Sequence, residues 1–226
     1  MENNLINAPY LVEKKVPYFI KDINPGFGFS DPRQLTNVND TLFFIANDGN
    51  NLGLWKSDGT EENTVKVKDI YTDLDTDLDT DSDIEIPQLS LSNINGTLFF
   101  PAYDTISGWE LWKTDGTETV LVKDIDPGSD DSSPTQLTDV NGTLFFIANG
   151  DQLWKSDGTE DGTVGVKNMQ LGAESPSPTQ LTNIDGTLFF VADDGVSGKE
   201  LWKSDGTSEG TVLVKDIKMG SKLLRS

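Results

Sequence analysis

The sequence predicts an all-β fold: a β-propeller of four four-stranded antiparallel blades, with one extra outer strand at the N-terminal end. Three observations carry that expectation. A phrase reading LWKSDGTEENTVKVKDI at residues 54–70 returns as LWKTDGTETVLVKDI at 111–125, LWKSDGTEDGTVGVKNM at 153–169 and LWKSDGTSEGTVLVKDI at 201–217. A second phrase of the LTNVNGTLFFIA kind precedes each copy, so one supersecondary unit is stacked at a period of about 50 residues. Within each unit, four short runs rich in β-branched and aromatic residues alternate with turn residues, the pattern of a strand meander. Period and strand count fit a propeller blade. A β-solenoid, whose coils are shorter, and a fragment of a larger propeller are the alternatives.

Taken in order, residues 1–15 form an N-terminal arm and residues 16–217 a single repeat domain. Residues 16–26 (VPYFIKDINPG) repeat the ending of a unit and therefore read as an outer strand with its exit turn. The first complete unit spans about residues 34–70. Its strands are Gln34–Val38, Thr41–Ala46, Leu54–Ser57 and Thr64–Ile70. The later units cover about 88–125, 136–169 and 180–217, followed by a tail at 218–226. Between the first two strands of each unit lies a pair, Asn39-Asp40, Asn95-Gly96, Asn141-Gly142 or Asp185-Gly186. Such pairs tolerate the positive φ angles of a two-residue hairpin. In TLFFIA both faces are apolar, Leu42 and Phe44 on one and Phe43 and Ile45 on the other, so this strand must be covered from both sides.

Residues 198–217, GKELWKSDGTSEGTVLVKDI, resemble the bacterial ELWxxDGT repeat, whose consensus continues into an exit turn like DIDPG at Asp124–Gly128. The resemblance covers residues 16–217. It implies a part of a secreted or surface bacterial protein and brings no catalytic residues with it. Asn63 replaces a consensus glycine, the second copy is two residues shorter at TDGTETV, and Asn168-Met169 replaces Asp-Ile; these departures alter single turns only.

Charge and composition limit the function. The 226 residues include 38 acidic and 17 basic side chains, a net charge of −21, which makes nucleic acid or an anionic membrane a poor partner and cations a plausible one. With no histidine and no cysteine, the commonest general base, thiolate chemistry and disulfides are all missing. No apolar run reaches the roughly 20 residues of a membrane-spanning helix, so no membrane insertion is expected. An extracellular or cell-surface location follows from the resemblance, although composition alone fits a cytoplasmic protein equally well.

Loop lengths single out one face. From the second to the third strand, Phe44 to Leu54, Phe100 to Leu111, Phe146 to Leu153 and Phe190 to Leu201 lie 10, 11, 7 and 11 residues apart, whereas the first hairpin turn is constant. The connections between units also vary, and in a meander both sets of loops emerge on the same side. That side is the candidate surface for a protein or glycan ligand, with Asp48, Asp104, Trp109, Asp151, Asp193 and Asp194 as its candidate residues. Trp109 stands out because it occurs in one unit only.

The longest connection holds Asp73, Asp75, Asp77, Asp79, Asp81, Asp83 and Glu85 at alternating positions. Oxygen ligands two apart resemble the opening of a calcium loop, although the turn glycine and the closing glutamate are missing. Bound Ca2+ and a solvated acidic loop are the two readings. The turn aspartates Asp58, Asp115, Asp157 and Asp205 are expected to cap nearby backbone N–H groups. The once-per-unit tryptophans Trp55, Trp112, Trp154 and Trp202 are expected to pack between blades. The Asn-x-Thr triplets at Asn39, Asn95 and Asn141 read as turns. A non-catalytic binding module is therefore expected; the alternatives are a structural spacer of a larger adhesive protein and, behind it, a glycan-active enzyme. An unclosed ring would also permit self-association.

Overall fold

The computed structural model describes residues 18–72, 89–150, 152–168 and 178–217. These contain no helix and form four four-stranded antiparallel sheets, each a meander in chain order. Blade 1 consists of β1 (Arg33–Val38), β2 (Thr41–Asn47), β3 (Leu52–Ser57) and β4 (Val65–Tyr71). Blade 2 follows with β5 (Ser92–Ile94), β6 (Thr97–Asp104), β7 (Gly108–Thr114) and β8 (Thr119–Lys123). Blade 3 holds β9 (Thr135–Val140), β10 (Thr143–Ala148), β11 (Gln152–Ser156) and β12 (Val164–Asn168). Blade 4 holds β13 (Thr179–Ile184), β14 (Thr187–Asp193), β15 (Lys199–Ser204) and β16 (Val212–Lys215). Register repeats with the sequence: Phe44 faces Trp55, Phe100 faces Trp112, Phe146 faces Trp154 and Phe190 faces Trp202.

Turn chemistry makes each first hairpin. Asn95 and Gly96 take φ of 51° and 84°, and Asn141 and Gly142 take 52° and 83°, as the mirror-image hairpin turns require. A bulge that the residue pattern does not announce falls in β1, β9 and β13. There Gln34, Gln136 and Gln180 have φ near 57° and the pairing register shifts.

Three seams hold the blades together, each pairing the forward face of one blade with the back face of the next. Val38, Phe43, Ile45, Leu54 and Ile70 meet Leu98, Phe100 and Ala102. Phe99, Leu111 and Ile125 meet Leu144, Phe146 and Ala148, and Phe145, Ile147 and Leu153 meet Leu188, Phe190 and Ala192. The polar contacts repeat too. Lys56 Nζ donates to the Gly116 carbonyl at 2.5 Å and Lys113 Nζ to that of Gly158 at 2.8 Å. The ring tips of Phe43, Phe99 and Phe145 lie 3.1–3.2 Å from where a Cβ would stand on Gly116, Gly158 and Gly206. A side chain there would collide with the ring and would sit on a backbone with φ of 86–93°.

The N-terminal stretch differs in form from the expected outer strand. Residues 18–32 form no strand, and among the described residues no third strand lies beside them to pair with. They nevertheless occupy an outer-strand position. Ile23 packs on Phe44, Ala46 and Trp55 as Ile125 packs on Phe146, Ala148 and Trp154.

Candidate functional site

The variable loops connect β2 to β3, β6 to β7, β10 to β11 and β14 to β15, and they share one face with the connections between blades. Backbone bonds join the two sets: Asn47 N–H donates to the Ser30 carbonyl at 2.8 Å, and Asn149 N–H to that of Ser132 at 2.7 Å.

The loop aspartates hold the shapes of their own loops. Asp104 accepts from the Ile106 and Ser107 N–H groups at 2.8 and 2.9 Å and from Ser107 Oγ at 2.9 Å. Asp194 repeats this with Val196, Ser197 and Ser197 Oγ, while Asp193 accepts from Gly195 N–H. Asp48 accepts from Asn50 and Asn51 N–H and pairs with Lys66 Nζ at 2.8 Å. Burial pushes all three of Asp48, Asp104 and Asp194 up, but the hydrogen bonds outweigh it and leave each carboxyl below its ordinary value. These carboxylates are ionised and spent on local backbone, so they fix loops and offer little to a ligand. Asp151 and the run from Asp73 to Glu85 lie outside the described residues.

Trp109 corrects the expectation of an exposed ligand contact. It is 1% exposed, stacked on Tyr71 with centroids 5.9 Å apart and flanked by Tyr103 at 6.0 Å. An indole packed between two aromatic rings in the blade 1–2 seam gains more from burial than it could at a solvent-facing tip. One signal was available in the sequence: Tyr71 and Trp109 both interrupt the repeat, and each is the other's packing partner. Trp55 and Trp202 are likewise buried, and Lys68 Nζ lies 3.7 Å above the Trp112 ring.

Side chains that sequence reasoning passed over stand at the loop tips. Ile106 and Val196, at matching places in blades 2 and 4, are 82% and 85% exposed, and Phe27 and Phe29 in the connection leading to blade 1 are 106% and 88% exposed. On the same face a recess of about 400 Å³ opens between Ser133, Gln136, Ala148, Gly150 and Thr179. The opposite face carries the Asp-Gly-Thr turns, where Asp58, Asp115, Asp157 and Asp205 each accept from the N–H and Oγ1 of the threonine two residues on. These bonds hold the four carboxyls below the ordinary range, Asp115 at about 2.

Glu110 was also missed. Fully buried, it accepts from Ser132 Oγ at 2.7 Å and from the Ile125 and Asp126 N–H groups at 3.1 and 3.3 Å. Burial pushes its carboxyl up to about 7 against the pull of those donors. Both oxygens are engaged in tying the exit of β8 to the next connection. Among the described residues no group of three or more carboxylates is placed to hold a metal ion.

No family model matches the sequence, and no curated protein matches it significantly. Among solved structures the chain is similar to the computationally designed Ika8 protein, at 14% identity and TM-score 0.45 over 77% of this chain and 46% of that one. It is also similar to a prolyl endopeptidase, at 11% identity and TM-score 0.48 over 77% and 24%. A third is the endo-arabinase from Bacteroides thetaiotaomicron, at 12% and 0.36 over 83% and 82%. The chain thus spans less than half the length of the first two. The fold itself rests on the strand pairing described above.

Proposed function

We propose that this chain is a non-catalytic binding module of the ELWxxDGT repeat type, part of a secreted or surface bacterial protein, which engages a protein partner through its variable-loop face. One observation carries the reading: Phe27, Phe29, Ile106 and Val196 are exposed on that face, and the loops of the last two are stiffened by Asp104 and Asp194. Large apolar side chains held out on rigid loops cost little ordering entropy when a partner covers them. A protein surface suits this mixture of aliphatic and phenyl tips, while the indoles Trp55, Trp109 and Trp202 are buried and offer no stacking platform to a sugar. The adjoining recess gives a partner side chain a place to enter.

The test is binding of the whole chain to a panel of purified envelope proteins and immobilised polysaccharides. At least one protein should be retained, and Ile106→Asp with Val196→Asp should weaken it about tenfold or more, with the melting temperature unchanged. Retention by polysaccharide alone would move the reading to a glycan ligand; protein retention indifferent to both substitutions would end it. Calcium assistance rests on the alternating carboxylates of residues 73–85 and is tested separately. Calorimetric titration of the chelator-stripped chain should give heat that disappears when residues 73–85 are deleted.

A further inference from the structure

The forward face of blade 4 repeats the residues that the other three blades bury and leaves them open. Leu54, Leu111 and Leu153 are each 0% exposed, whereas their counterpart Leu201 is 40% exposed; Ile184 and Ile217 stand at 53% and 77%. Phe43, Phe99 and Phe145 are buried against a glycine of the next blade, while no atom lies within 4 Å of the Cβ position at Gly59, the glycine that Phe189 would meet if blade 4 closed on blade 1. Across the gap, the back face of blade 1 is uncovered at Leu42, 36% exposed where Leu98, Leu144 and Leu188 are 0%. Lys203 is the counterpart of Lys56 and Lys113, which donate to the turn carbonyls of the next blade.

Residues 18–24 show what lies against the back face of blade 1. Lys21 Nζ donates to the Glu61 and Thr64 carbonyls of blade 1. Lys123, in the outer strand of blade 2, makes the same pair of bonds to Glu160 and Thr163 of blade 3, and Lys167 in β12 donates to Thr211 of blade 4. With Ile23 in the position of Ile125, this stretch is the outer strand of a blade whose other three strands are not supplied by the described residues. We propose that the opening between blade 4 and blade 1 is an acceptor site for a three-stranded repeat unit on another polypeptide, which residues 18–24 complete as the fourth strand.

The three existing seams define the occupant's chemistry. It presents a Leu-x-Phe-x-Ala row to Phe189, Val191 and Leu201, as Leu188, Phe190 and Ala192 do to blade 3. It offers an Asp-Gly-Thr turn whose glycine admits the Phe189 ring and whose carbonyl accepts from Lys203. A second copy of this chain fits poorly. Each of its four units already carries an outer strand, which would compete with residues 18–24 for a single place.

The probe is a polypeptide with the sequence of residues 178–207, three strands and the Asp-Gly-Thr turn without a fourth strand, titrated onto the full chain. Saturable binding is expected, with amide-exchange protection gained in β14 and β15 and affinity reduced about tenfold or more by Leu201→Glu. Adding residues 208–217 to the probe should weaken binding, because its own outer strand then competes with residues 18–24. In case the free probe fails to fold, the same 30 residues are tethered after Ser226 through a flexible linker, which raises their effective concentration; the tethered unit should raise the melting temperature, and Leu201→Glu should cancel the gain. No binding in trans together with no gain when tethered would overturn the proposal. So would binding unaffected by Leu201→Glu, or a dimer of the unmodified chain that already protects β14 and β15.

Discussion

Blades 3 and 4 carry almost the same residues and live in different surroundings. TLFFIA with LWKS in one and TLFFVA with LWKS in the other fold into meanders of matching register, yet Leu153 is sealed while Leu201 meets solvent. The difference lies wholly in the next blade. Each unit specifies half of an interface, and the chain's stability is close to a sum over seams that have both halves.

Substitutions at matching places should expose the asymmetry. The largest effect is expected for Leu153→Ala, a loss of about 2–5 kcal/mol from transfer and cavity terms, while Leu201→Ala should cost under about 1 kcal/mol. Urea unfolding followed by tryptophan fluorescence measures both, and equal losses would dissolve the contrast. Next comes the blade 2–3 seam, where Glu110 has a carboxyl raised from 4.5 to about 7 by burial. The folded chain keeps a proton that the unfolded chain releases near pH 4.5. Its contribution to stability is therefore full below that pH, declines as pH rises, and is gone above about 7. Glu110→Gln should flatten the difference between pH 4.5 and 7, with parallel denaturation profiles as the contrary outcome. The smallest effect is expected at the lysines. Lys113→Ala forfeits the bond to Gly158 and should cost about 1 kcal/mol, whereas Lys203→Ala should be near neutral by thermal denaturation.

Much of this architecture is legible in the residues because strand pairing is local. Period-two runs such as TLFFIA and turn pairs such as Asn95-Gly96 dictate hairpins wherever they occur, and the turn aspartates find their N–H groups within two residues. The role of Trp109 is half legible: that it and Tyr71 both interrupt the repeat shows in the sequence, whereas their stacking across two blades does not. Glu110 was hidden for the same reason: its donors come from residues 125–132, and a sequence shows a carboxylate without showing its burial. The bulges at Gln34, Gln136 and Gln180 leave no residue signature, since glutamine has no particular liking for positive φ. Uneven loop lengths single out one face in the sequence, and the large apolar side chains exposed there are Phe27, Phe29, Ile106 and Val196 rather than the indole.

The open face of blade 4 also sets a mechanical direction. Among the described residues, three blades are gripped from both sides or capped by residues 18–24, and blade 4 is gripped from one side alone. Under tension between its ends, the array should yield first at blade 4, a rate-controlled event, and then shed blades toward the N-terminal end. A fifth blade wedged into the opening would act as a latch, turning a strip that peels into a ring that must be broken.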